Sequence, residues 1–278
     1  MSYLTSRPMV CLCMLAAISS GLYAVDGVVL INQASALAGN MTPGDVPGFP
    51  VTISQAGSYR LTGNLTVPDV NTTAILITAE NVTLDLNGFT ISGPNVCTFD
   101  GTACQQANGV GVQAGVFGTP GPRGVRVSDG TVRGMGSHGI FLNGAACAVE
   151  KVIALGNRLD GIEVEAGSVM DSVASSNFTG IVAKTVLRST AEGNSQLGIE
   201  VTTNGLAADN VANSNFITGI QLDGGDTATG NTTNHNNAGI FAICPSTVVG
   251  NTATGNPFHN IFAQQGVNTL CTLANNTQ

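Results

Sequence analysis

Between residues 139 and 261 an isoleucine returns at a near-constant interval. Ile140, Ile162, Ile181, Ile199, Ile220, Ile240 and Ile261 are separated by 22, 19, 18, 21, 20 and 21 residues. A Gly precedes the first six and Asn260 the last. Three or four residues before each pair, from the second onward, stands an Asn: Asn157, Asn177, Asn194, Asn215, Asn236 and Asn256, with Asn276 continuing the series. Eight residues before these Asn lie Val149, Val169, Val186, Ala207, Ala228 and Val248. Three before them lie Ala154, Ala174, Ala191, Ala212, Thr233, Ala253 and Leu273. A second apolar residue follows each Ile at two positions further on, from Leu142 to Ala263. Columns in register over six or seven units are the signature of a solenoid.

Each unit holds about three runs of strand length, split by Gly, Asn or Ser, and no ten-residue helical face. So small a unit cannot bury its apolar side alone. Stacked on its neighbours about 4.8 Å away, it pairs its strands above and below and hides a shared interior. The Ile-x-apolar alternation then points both residues inward, and each Ile contributes roughly 1.5–3 kcal/mol by burial. Gly before Ile reads as a corner residue with positive φ. The recurrent Asn reads as an interior ladder of stacked amides, with ordinary turn residues as the alternative. Leucine-rich repeats, GGxGxD calcium rolls and six-residue left-handed helices all fail on pattern. A right-handed parallel β-helix of about 20 residues per coil remains, an all-β fold.

Composition limits the partners. Only 9% of residues are charged, with nine Lys+Arg against seventeen Asp+Glu and no Lys or Arg after Arg188. Without a basic stripe, nucleic acid is a poor partner. Val, Ile and Thr in regular positions argue against disorder.

The first residues read as an export signal: Arg7, the apolar run 9–18, and a cleavage site after Ala24. Ten apolar residues are too few for the roughly 20 that a membrane span needs. The expected compartment is periplasmic or extracellular, where disulfides are permitted. Cys97 and Cys104 can close a compact loop, Cys244 and Cys271 can bridge neighbouring coils, and Cys147 is left over as a small buried residue. Residues 25–50 read as an N-terminal cap and linker, with a short helix within 31–40 covering the open first coil, and 51–278 as the β-helix. Leu86 and Ile91 align with Val127 and Val132, which makes 94–123 an enlarged turn.

The run "GSYRLTGNLTV…AILITAENVTLDLNGFTISGP" (58–94) followed by the N-x-x-x-G-I coils resembles bacterial secreted right-handed parallel β-helix proteins of the pectin-lyase-like superfamily. The resemblance covers the chain from about residue 26 to its end. It implies a polysaccharide lying across a flat outer face, and functions that range from lyases, hydrolases and epimerases to proteins without a reaction. The superfamily's catalytic motifs are missing: "GSHG" (136–139) is the nearest approach to the Gly-His-Gly of polygalacturonases, and no Asp-Pro-His-Asp of mannuronan epimerases occurs. Only Lys184 with Glu163, Glu165 and Glu200 imitates the acids and base of a pectate lyase.

On the outer face the residue after each Ile points outward, as do those two further on and those just before each Gly. These columns gather His138, Asp160, Glu163, Glu165, Lys184 and Glu200 into the densest ionisable cluster. As a functional site it pairs carboxylates for acid–base work or calcium; as a solvated face it keeps a secreted protein soluble. No Trp, and one Tyr after the leader, argue against strong sugar stacking. The expectation is a non-catalytic β-helix presenting an extended surface to a glycan or protein of the envelope, with no cofactor. The alternative is a lyase or glycoside hydrolase acting on an acidic polysaccharide, where calcium enters only for the lyase. A third reading is an assembly module that self-associates through its charge-free C-terminal coils.

Overall fold

The computed structural model describes residues 27–97, 104–265 and 269–278. The leader read at 1–24 and the tip of the Cys97–Cys104 loop lie outside them. The chain winds as a parallel β-solenoid with three ribbons of stacked strands. The first ribbon stacks Val51–Ile53, Ile75–Ile77, Val112–Ala114 and Ile140–Leu142. It continues through the leading parts of Ile162–Met170, Ile181–Leu187 and Leu197–Ala208, then Thr218–Leu222, Ala238–Ile243 and His259–Gln264.

The second ribbon carries the Val column: Val149 pairs Val169, Val169 pairs Val186, and the line continues through Ala207, Ala228 and Val248. The third carries the Ala column, where a narrow interior admits only small side chains. Ile140, Ile162, Ile181, Ile199, Ile220 and Ile240 of the column are fully buried. Because the coils are in register, each ribbon's inward position repeats one residue type, and the columns of the sequence are the walls of one core.

The asparagines form the expected ladder. Asn177 Oδ1 accepts from the Asn157 backbone N at 2.9 Å and from its Nδ2 at 3.0 Å. The same pair of bonds recurs through Asn194, Asn215, Asn236 and Asn256. The second Nδ2 hydrogen goes to a backbone carbonyl of the Ala column, as from Asn215 to Ala191 O at 3.1 Å. These are buried, fully paired amides rather than turn residues.

Four details differ from the sequence reading. First, the Gly before each Ile has no positive φ. The left-handed residue sits one position before each rung instead, as at Ser176, Ser214 and His235. The Gly is required by space: a Cβ on Gly198 would stand 2.5 Å from Asn215 Nδ2 and 2.6 Å from Gly219 O. Second, Asn276 and Leu273 belong to other columns. Leu273 pairs Val248 in the second ribbon. Asn276 accepts from Asn251 N and Nδ2 at 2.9 and 3.1 Å, ending a second ladder that climbs through Ser172, Ser189, Asn210, Asn231 and Asn251. The first ladder closes on Asn260, whose Oδ1 accepts from Asn256 N and Nδ2.

Third, Leu84 rather than Leu86 pairs Val127, while Ile91 does pair Val132. Within 94–123, Val112–Ala114 is a first-ribbon strand, so that stretch is a coil with long excursions rather than a single turn. Fourth, Val28–Ile31 already pairs Gly57–Leu61, so stacking begins before residue 51. The helix Gln33–Ala38 follows, closed by an Asn32/Ser35 capping box. The stretch read as a linker is pinned down: the buried Asp45 carboxylate accepts from Met41 N at 2.9 Å and Thr52 N at 2.7 Å.

Two disulfides join Cys97 to Cys104 and Cys244 to Cys271, the latter linking neighbouring coils. Cys147 is free and buried, and burial pushes its thiol pKa up. No helix among the described residues is long and apolar enough to cross a membrane.

Candidate functional site on the first ribbon

Ladder and core use the inward positions of each coil, so any chemistry must come from the outward ones. On the first ribbon the outward column after Ile runs Gln113, Phe141, Glu163, Val182, Glu200, Gln221, Phe241, Phe262, each residue paired with the next. Ahead of it, Gly139 N donates to Asp160 O, which sets His138 and Asp160 on successive coils.

These placements bring three of the six candidates into contact. His138 Nε2 lies 2.9 Å from Glu163 Oε2 and 3.4 Å from Asp160 Oδ2. Its Nδ1 is 3.0 Å from Ser137 Oγ, so both ring nitrogens are engaged. The Phe141 ring tilts against the imidazole with centroids 5.3 Å apart. The trio is well covered, with side-chain exposures of 17% for His138, 18% for Asp160 and 6% for Glu163.

Burial alone pulls the His138 pKa down, but hydrogen bonds and charge from Asp160 and Glu163 outweigh it and hold the ring at about 9. Burial pushes the Glu163 carboxyl up, and the neighbouring Asp160 adds to that, against the pull of His138. His138 and Glu163 therefore titrate together, around a protonated imidazole.

Glu200 lies two strands beyond Glu163 in the same column. Burial, then the charge of Asp223, raises its pKa to about 7. Asp223 belongs with the site although the sequence cluster stopped at Glu200; Gln221 Nε2 donates to it at 3.2 Å. Glu165 and Lys184 do not join. Both are exposed, and among the described residues Lys184 has no carboxylate within ion-pair reach. They stand where the first ribbon turns into the second, and this turn shortens at Lys184, next to a register shift.

Two further features flank the cluster. The Arg158 guanidinium sits 5.9 Å from the Phe178 ring centroid, a cation–π contact absent from the sequence reading. At the far end of the same face, Phe241 and Phe262 stack at 5.5 Å, and His259 lies 4.9 Å from Phe262. Two surface depressions lie elsewhere. One of about 380 Å³ opens along the third ribbon by Asn95, Arg133 and Leu155, and one of about 290 Å³ beside Leu37, Phe49 and Pro68.

In backbone arrangement the chain is similar to two solved structures from Azotobacter vinelandii. The mannuronan C-5 epimerase AlgE6 A-module superposes with a TM-score of 0.62 at 16% identity, over 84% of this chain and 74% of that one. The AlgE4 A-module of the same enzyme class gives 0.61 at 13% identity, over 90% and 84%. This chain is a right-handed parallel β-helix repeat protein. No family model matches this β-helix, and no curated protein sequence does. At these identities the likeness concerns the fold alone, so the role of the site rests on its geometry.

Proposed function

We propose that this β-helix is exported and binds a polysaccharide along the outer face of its first ribbon without processing it. One observation carries the reading: both nitrogens of His138 are already engaged, by Ser137 on one side and by Glu163 and Asp160 on the other. The one imidazole of the cluster therefore has no free position from which to take a substrate proton. What remains is a long surface of stacked strands, with outward side chains, polar and apolar, spaced about 4.8 Å apart along the helix axis. Both neighbours in fold are modules of enzymes named for a polysaccharide. The two disulfides fit an oxidising compartment. With Asp160, Glu163, Glu200 and Asp223 on one face, a neutral glycan is favoured over a polyuronate at low salt.

The second reading is a lyase or hydrolase. It is favoured by Glu200, whose pKa near 7 keeps a protonated carboxyl available at neutral pH. Affinity electrophoresis through gels holding neutral glucan, galactomannan, pectin or alginate separates the two, run beside assays for new reducing ends and unsaturated uronides. Retardation without new ends is the expected result, with Gln221→Ala weakening it. Turnover abolished by Glu200→Gln replaces binding by catalysis, and neither retardation nor turnover removes both readings.

A further inference from the structure

We infer that His138, Asp160 and Glu163 form a binding site for a divalent transition metal of the Zn²⁺ class. The ligand-capable atoms of the three residues all lie within 4.8 Å of one another. Zinc holds imidazole nitrogen and carboxylate oxygen at about 2.0–2.2 Å, so donors on the corners of its tetrahedral shell stand about 3.3–3.6 Å apart. His138 Nε2 is 2.9 Å from Glu163 Oε2 and 3.4 Å from Asp160 Oδ2. The His138–Asp160 pair already stands at that spacing, and the His138–Glu163 pair needs to open by only about 0.5 Å to take up an ion.

Three more observations point the same way. Ser137 Oγ holds Nδ1 at 3.0 Å, the second contact by which a ligating histidine is fixed in orientation. The donors sit on consecutive coils whose backbones are locked together, Gly139 N on Asp160 O and Ile140 on Ile162, so the geometry does not depend on a loose loop. Charge is also unbalanced. Asp160, Glu163, Glu200 and Asp223 act on one another electrostatically. Among the described residues no Lys or Arg nitrogen lies within ion-pair reach of any of them. A dication on the trio relieves that surplus more completely than one imidazolium. An imidazole donor selects zinc over calcium or magnesium, and three protein ligands leave an open position. This inference stands apart from the polysaccharide reading, because it is tested by metal binding alone.

The test uses the folded mature protein after treatment with a chelator and its removal. Zn²⁺ binding is followed by calorimetry, and Co²⁺ is substituted to read its visible absorption. One equivalent is expected, abolished by His138→Ala and by Glu163→Gln. Ser137→Ala, which keeps all three ligands, should weaken it roughly 10–100-fold. His235→Ala and His259→Ala should leave it unchanged. Circular dichroism checks each fold, and the near-isosteric Glu163→Gln and Asp160→Asn decide if His138→Ala does not fold. A folded protein that takes up no stoichiometric Zn²⁺, binding indifferent to Glu163→Gln, or uptake of Ca²⁺ in place of Zn²⁺ overturns the inference.

Discussion

The interior asparagine ladder and the half-buried acidic outer face are both arrays of polar groups along one axis, yet they behave as opposites. In the ladder each amide oxygen accepts two bonds from the coil before, and each amide nitrogen donates to the next amide and to a carbonyl. It is neutral, and its hydrogen-bonding capacity is used up. On the face, two of the four carboxylates share one imidazole and the other two have no cation within ion-pair reach among the described residues, and three of the five groups have pKa values displaced upward. Full satisfaction marks the first array as structure; unbalanced charge marks the second as the place where a ligand changes something.

The comparison breaks most visibly at a middle rung. Asn215→Ala leaves Asn194 N and Nδ2 without their acceptor and Ala191 O without its donor. At about 1–3 kcal/mol for each of the three buried groups left unpaired, the loss is at least about 3 kcal/mol. The ladder holds no ionisable group, so the loss measured by urea unfolding should be the same at pH 5 and pH 9. A loss that varied with pH would mean the ladder is coupled to the face.

Next comes the glycine that gives the ladder its space. A methyl on Gly198 meets Asn215 Nδ2 and Gly219 O at 2.5 and 2.6 Å, and neither can retreat without opening the coil. Gly198→Ala should cost about 1–3 kcal/mol by overpacking. The reading of this glycine as a positive-φ corner forecast strain of a different origin. A D-alanine at 198, introduced by chemical ligation, distinguishes the two: it rescues a positive-φ site and has no reason to rescue this one.

The face should respond to pH where the ladder does not. His138 titrates at about 9 in the fold against 6.5 in a free chain. Its contribution to stability is therefore complete below pH 6.5 and is lost as pH rises through 9. Glu200 is also raised, to about 7 from 4.5, so it favours the fold at low pH, an advantage lost as pH rises from 4.5 through 7. The two windows together predict stability that falls from pH 4.5 to 9. Glu200→Gln should remove only the lower part of the descent. The His138 part should amount to about 1–2 kcal/mol, and the raised Glu163 adds to the descent. Stability independent of pH between 5 and 9 would place the imidazole in solvent.

Much of the fold was legible because in-register stacking writes each inward position as a repeated letter. Ile140 through Ile240 and Asn157 through Asn256 could be read off directly. The second ladder escaped because its first rungs are Ser172 and Ser189, which donate and accept like Asn but break the letter pattern. Leu273 and Asn276 were misplaced for a related reason: the long excursion around Cys271 adds residues at the corner, and counting back from Asn276 lands in the wrong ribbon. In the site, His138, Asp160 and Glu163 were legible from column adjacency. Asp223 was not, because its part depends on how far a carboxylate reaches along the face, which periodicity does not encode.

Lys184 is the smallest effect and the cleanest discriminator. From the sequence it stood with Glu163, Glu165 and Glu200 as the one base a lyase-like site could use. In the fold it is exposed at the corner where the first ribbon passes into the second, and it pairs with none of those acids. An exposed side chain without a partner changes stability by no more than about 0.5 kcal/mol when truncated. Lys184→Ala should therefore leave the urea midpoint, the pH profile of stability and Zn²⁺ uptake as they are in the parent protein. Removing a cation from a face already rich in carboxylates should only reduce retention of anionic polysaccharides slightly, an effect that disappears in 0.15 M salt as the Debye length falls to about 8 Å. A loss of turnover in Lys184→Ala would reverse this ranking. The corner would then be the chemically active edge of the face, and the His138 cluster its support.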